Sequence, residues 1–174
     1  MTTRANLGAK LLFVFPSHAI LKYLLESYAT ADQRERLYPS DIRVHSLVDT
    51  CMFFNTGVFF IRLKVVALPT LLEGLPGPSA RHLSDIDLAY GIVEDYLSRH
   101  RFVAADDVTV ADLALASTAA AMQAIKKIDG NRFPRCVAWL ERLEKEAWFR
   151  EPHATCVAAF TDAMETFWTK NKQL

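Results

Sequence analysis

The chain has 174 residues, 51% of them apolar, with six glycines and seven prolines; this suffices for one well-buried domain and excludes a disordered or fibrous class. Twenty basic and twenty acidic residues cancel, so no global charge draws nucleic acid or an anionic membrane to it. Three dispersed cysteines (Cys51, Cys136, Cys156) and five scattered histidines argue against a disulfide framework or a metal site, and for a reducing, cytoplasmic setting.

Residues 1–10 show no periodicity. Leu11 to Phe15 is an apolar run closed by Pro16, which predicts a short strand and is too short for a secretory signal core. Ser17 is placed to cap a helix carrying Ala19, Ile20, Tyr23, Leu24 and Tyr28, and Ala29 to Pro39 reads as a polar connection. From Ser40 the pattern is helical, with Val44, Leu47, Val48, Cys51, Met52 and Val58 inward. It continues through Phe59, Leu63 and Val66 to Pro69, whose missing amide predicts a kink or break. Met52 to Leu72 is the most membrane-like window, but Asn55, Arg62 and Lys64 near its middle favour a buried bundle helix.

Gly74-Leu-Pro-Gly-Pro78 is a loop. A helix then runs from Ser79 or Ala80 to Ser98, with Leu83, Ile86, Leu88, Ile92, Val93 and Leu97 on its apolar side. Another spans Thr109 to Ile125 and is apolar on nearly every side, as expected for the middle of a bundle. Asp129-Gly-Asn131 is the stop after that helix. Phe133 to Glu146 is helical with Val137, Leu140 and Leu143 inward, and Ala154 to Lys170 forms a last helix with Val157, Phe160, Met164 and Phe167.

The richest local signal is Phe102-Val-Ala-Ala-Asp-Asp-Val-Thr-Val-Ala-Asp-Leu-Ala-Leu115. Thr109 sits at an N-cap, Asp112 can reach back to its amide, and Val108 and Leu113 flank the box as a hydrophobic staple. Capping accounts for Asp112 without chemistry, and predicts that Asp112→Ala costs about 1–2 kcal/mol. The segment also looks like the start of a helix-turn-helix, but the run continues through Met122 without the tight turn that motif needs, which argues against DNA binding.

These motifs resemble, in order, those of glutathione S-transferases. The capping segment is similar to F-V-A-G-D-x-x-T-x-A-D, with Ala105 in place of the glycine. Pro16-Ser-His-Ala-Ile20 with Tyr23-Leu-Leu25 and Tyr28 resembles E-S-H-A-I-x-x-Y-L-x-x-x-Y, and Leu37-Tyr-Pro39 resembles the interdomain linker. Gly57 to Lys64, continuing to Pro69 and Gly74, looks like the insect delta/epsilon type, epsilon most closely. Phe133-Pro-Arg-Cys-Val-Ala-Trp139 through Leu143 is similar to Y-P-x-x-x-x-W-x-x-R-L.

The resemblance implies an all-α C-terminal bundle preceded by a strand–helix remnant of a thioredoxin-like half. It divides the chain into residues 1–30 (remnant), 31–39 (linker) and 40–174 (helical domain). It also implies conjugation of glutathione to hydrophobic electrophiles, with glutathione as co-substrate and no other cofactor. The family's thiolate-stabilising Ser or Tyr and its cis-proline segment have no counterpart here, so no catalytic residue is assigned and impaired activity is expected. Ser17 and His18 match the glutathione-binding helix start, although Pro16 stands where the family has an acid; Ser17 as a mere helix cap is the alternative. Leu63, Lys64, Ala67, Leu68, Leu71, Leu72 and Phe160 would line the hydrophobic substrate pocket, or else be bundle core. A homodimer is expected from the family. The competing reading is a non-catalytic ligand-binding or protein-interaction bundle, without nucleic acid or membrane.

Overall fold

The computed structural model describes residues 16–173, so the strand expected at Leu11 to Phe15 lies outside the described residues. Within them the chain is all-helical: α1 Ser17–Tyr28, α2 Ala31–Leu37, α3 Ile42–Phe54, a π segment Asn55–Phe59, α4 Phe60–Leu72, α5 Ala80–Leu97, α6 Val110–Met122, α7 Pro134–Glu144 and α8 Ala147–Asn171.

The stretch read as a polar connection contains a helix of its own. Thr30 Oγ1 accepts from the Gln33 amide at 3.2 Å while Gln33 Oε1 accepts from the Thr30 amide at 3.0 Å, closing a capping box. Asp32 in the first turn and Arg34 and Arg36 in the last complement the helix dipole. No residue of α2 is buried, so hydrophobic periodicity carried no trace of it.

Asp41 caps α3, its Oδ1 accepting from the amides of Arg43 at 2.9 Å and Val44 at 3.1 Å. The helix that follows is not broken at Pro69. It widens into the π segment and then runs on to Leu72. Proline there removes only the bond to the Val65 carbonyl, and Val65 lies on the exposed side. The same holds for α8, which begins at Ala147, ahead of Pro152 rather than after it. Pro152 frees the carbonyl of exposed Trp148. Meanwhile Phe149, 2% exposed, anchors that first turn in the core and stacks on His153 at 4.1 Å.

Three inward assignments fail on register. Leu88 is 66% exposed, and Leu47 and Ile92 also face outward; α5 buries Ile86, Ala89, Tyr90, Val93 and Leu97, spaced three and four apart. α7 starts at Pro134 with no side-chain cap of its own. Glu94 of α5 supplies one, accepting from the amides of Arg135 at 3.1 Å and Cys136 at 2.9 Å. Burial pushes the Glu94 carboxyl up, but these amides and the Arg135 guanidinium outweigh it and hold the carboxyl below its usual range.

α6 is the axis of the bundle and packs against α1, α3, the π segment, α4, α7 and α8. Ten of its residues are buried. At its start Asp112 is fully buried and accepts four hydrogen bonds. Oδ1 takes the Val103 amide and Trp139 Nε1, each at 3.0 Å, and Oδ2 takes the Thr109 amide at 2.9 Å and the Thr109 hydroxyl at 3.0 Å. The capping carboxylate therefore also ties the 98–109 loop and α7 to α6. Removing it strands buried donors on three elements, so Asp112→Ala should cost about 3–5 kcal/mol rather than the loss of one cap. Trp139→Phe, which removes a single donor, should cost about 1–2 kcal/mol. Urea unfolding of the two variants checks this; equal midpoints would contradict the shared-acceptor role.

Candidate functional site

The start of α1 is where sequence reasoning placed a ligand. Its N-cap is Pro16, in extended backbone, and Ser17 is the first helical residue; Ser17 therefore does not cap the helix as expected. The Pro16 carbonyl accepts from the amides of Ala19 at 2.9 Å and Ile20 at 3.2 Å. The amides of Ser17 and His18 thus precede the first helical bonds, on the positive end of the dipole. The Ser17 side chain is exposed, and its recorded contact is a long one, 3.4 Å to His18 Nδ1.

His18 turns inward to the bundle. Asn55 Nδ2 donates to His18 Nε2 at 3.0 Å and to the Ala114 carbonyl at 3.2 Å. Because Nε2 accepts, the ring proton sits on Nδ1, which faces Thr56 Oγ1 at 3.1 Å; the Thr56 hydroxyl donates onward to the Met52 carbonyl at 3.2 Å. Every bond is satisfied by neutral imidazole, and burial holds the His18 pKa below its usual value. Asn55 opens the π segment and is 2% exposed, with its Oδ1 unpartnered among the described residues. A π turn at a polar contact of this kind is a frequent mark of function.

A second clamp lies beside it. Lys22 Nζ of α1 donates to Asp49 of α3 at 3.1 Å, Tyr38 OH donates to the same carboxylate at 2.7 Å, and the Lys22 ammonium stands 4.7 Å from the Tyr38 ring centroid. Burial works against the charge on Lys22, yet Tyr38 and Asp49 raise its pKa above the usual value. Sequence reasoning missed Lys22, Asp49, Asn55 and Thr56. Their partners lie up to 59 positions apart, so no local pattern joins them.

Helical geometry splits the α4 candidates. Leu63 and Ala67 are buried in the core, whereas Lys64, Leu68 and Leu72 form an exposed strip, Leu72 being 76% exposed. Leu71 and Phe160 are half-buried. Thr109 and Asp112 stand at the N-cap described above, and Asp112 is sealed from any substrate. Burial pushes its carboxyl above the usual range against the pull of four donors. Burial likewise pushes the Cys51 thiol up to about 12, leaving it an inert packing group. Among the described residues no three His, Cys, Asp or Glu side chains converge as metal ligands.

The family model for the glutathione S-transferase C-terminal domain matches residues 58–142. The crystal structure of a glutathione transferase homologue from Drosophila mojavensis with bound glutathione superposes with a TM-score of 0.81 at 30% identity, over 88% of this chain and 68% of that one. The chain belongs to the glutathione S-transferase family. An epsilon-class glutathione S-transferase from the housefly, Musca domestica, is similar at a TM-score of 0.83 and 26% identity, over 88% of this chain and 70% of that one. Glutathione S-transferase 1 of Manduca sexta is 30% identical over 142 residues, 81% of this chain. The chain spans 64% of that relative's length. The residues that match the C-terminal-domain model run from the π segment through α7.

The His18 junction has a pH signature. The unfolded imidazole takes up its proton near 6.5, whereas the folded one resists it. Its contribution is therefore fully present above 6.5 and is lost as pH falls below it. Urea midpoints measured at about pH 7.5 and about pH 5.5 should fall more in the wild type than in His18→Gln. Equal drops would remove His18 from the account.

Proposed function

We propose that this chain serves glutathione transferase chemistry of the epsilon type, in the cytoplasm, as part of the conjugation of glutathione to hydrophobic electrophiles in detoxification. The observation that carries the reading is the exposed start of α1, with Ser17 and two leading amides held against the bundle through His18 and Lys22. An anionic tripeptide meets there a hydroxyl, free amides and the positive end of a helix, a combination suited to the γ-glutamyl carboxylate. The exposed strip Lys64, Leu68 and Leu72, with Leu71 beside it, would face the electrophile, and Lys64 would orient an anionic group on it. The residues assigned here bind and orient; none is assigned the activation of the thiol. A homodimer, the family's habit, is part of the proposal.

A second reading, a non-catalytic ligand-binding or interaction bundle, draws on two observations. Pro16 offers neither charge nor amide where the resemblance places an acid. Leu63 and Ala67 turn into the core rather than toward a ligand.

Calorimetric titration of glutathione into the folded chain separates them. The first reading expects saturable binding at about millimolar affinity or tighter, weakened about tenfold by Ser17→Ala as a charge-assisted bond is lost. A folded chain that takes up no glutathione supports the second.

A further inference from the structure

Between α6 and α8 a chain of three hydrogen bonds joins one hydroxyl, one imidazole and two backbone carbonyls. Ser117 Oγ of α6 lies 2.7 Å from the Leu113 carbonyl and 2.8 Å from His153 Nε2 of α8. His153 Nδ1 lies 2.7 Å from the Phe149 carbonyl. The ring is also stacked on Phe149, with centroids 4.1 Å apart and planes 20° apart. Phe149 is a core residue, so the imidazole has little freedom to turn away.

Counting protons decides what state this chain describes. A carbonyl only accepts, so the Phe149 contact requires a proton on Nδ1, and the Leu113 contact requires the one proton that Ser117 has. Ser117 Oγ then meets Nε2 as an acceptor, and Nε2 must carry a proton too. All three bonds coexist only with imidazolium. The neutral ring can keep two of them, because Ser117 must choose between the Leu113 carbonyl and Nε2. His18 has the opposite requirement, since Asn55 donates to its Nε2.

No ion pair explains a charge here. Among the described residues the histidine ion pair within 4.0 Å is that of His100 with Asp106, not one of His153. α8 packs on α4, α6 and α7. The charged group of α6 is Asp112, whose oxygens are filled by four donors. On α7, Arg142 is held by the Arg101 carbonyl and Arg135 by Glu94, while Glu141 and Glu144 are exposed. On α4, Lys64 is exposed and Arg62 half-buried. On α8 itself Arg150 donates to the Lys145 carbonyl, and Glu151 and Cys156 are exposed. The proton on Nε2 is therefore held by the Ser117 oxygen.

We propose that His153 is a proton-operated clamp between α8 and α6. Charged, it bridges Phe149 and Ser117 while Ser117 keeps its bond to Leu113. Neutral, its bond to Ser117 competes with that carbonyl, and one contact of the set is lost. A bond from a charged donor is also the stronger kind. Linkage fixes the sign: the folded ring gains a bond by taking up a proton, so the clamp contributes in acid and lapses as the pH rises. Acid thus tightens α8 on α6 while loosening α1 at His18. The clamp shares no residue with the α1 start or the α4 strip, and stands whether or not glutathione binds.

Two measurements on the full chain test it. Nitrogen-edited proton NMR at about pH 5.5 should show both ring N–H protons of His153 shielded from exchange with water, and at about pH 7.5 the Nδ1 proton alone. His153→Phe, which keeps the stack, assigns these signals by their loss. In urea unfolding, a double-mutant cycle of Ser117→Ala and His153→Phe should show a coupling of about fivefold at acid pH, falling below about twofold at pH 7.5. His18 is present in every corner of the cycle, so its own titration cancels. Should a variant not fold, the wild-type signals still decide, being present at acid pH and sensitive to pH or not. Absence of a shielded Nε2 proton in acid, or a coupling that is equal at the two pH values or larger at the higher one, overturns the proposal.

Discussion

A carboxylate taken wholly out of water is tolerable only if its lone pairs are met, and Asp112 is where this domain meets that demand. Four donors from the 98–109 loop, the α6 N-cap and α7 converge on its two oxygens. Each bond is of ordinary strength, but the shared acceptor makes them interdependent, because loss of the carboxylate leaves every donor buried and unpaired. The all-apolar α6 can then sit in the middle of the bundle with its start fixed in register. α1, α3, α4, α7 and α8 pack directly on α6 and take their positions from it.

The same economy of polar groups governs the ends of the long helices. Thr70, 1% exposed near the end of α4, is met by α8 from about a hundred positions away. Trp168 Nε1 donates to Thr70 Oγ1 at 3.0 Å, and Asn171 Nδ2 donates to the carbonyls of Thr70 at 2.8 Å and Leu75 at 2.9 Å. These bonds satisfy carbonyls that a helix C-terminus leaves open. Glu94 does the equivalent service for the amides of α7. Caps delivered by distant helices stitch the bundle more firmly than caps delivered by neighbours in sequence.

The junction between α1 and the bundle has a different character. His18, Asn55 and Thr56 form a neutral chain of hydrogen bonds, and Lys22, Asp49 and Tyr38 an ionic one beside it. Large apolar side chains of α1, among them Leu24 and Tyr28, remain exposed, so polar contacts carry much of the docking. The helix start that would receive glutathione is thereby set by residues of the helical domain. The π segment opens at Asn55, whose amide reaches both His18 and the Ala114 carbonyl.

Local chemistry was legible in the chain wherever partners lie within a helical turn or two. The box of Thr109 and Asp112, the helix start at Ser79 or Ala80, the loop at Gly74 to Pro78 and the apolar length of α6 all follow from short-range patterns, and the ordered motifs sufficed for the family and its all-helical fold. α2 was hidden because a helix with no buried face has no period. Pro69 and Pro152 misled because proline's cost depends on whether the freed carbonyl reaches solvent, which the chain alone does not reveal. The Asn55–His18 contact and the exposure of Leu68 and Leu72 were decided by tertiary structure alone. Each depends on which helix faces meet, and only packing around α6 sets that.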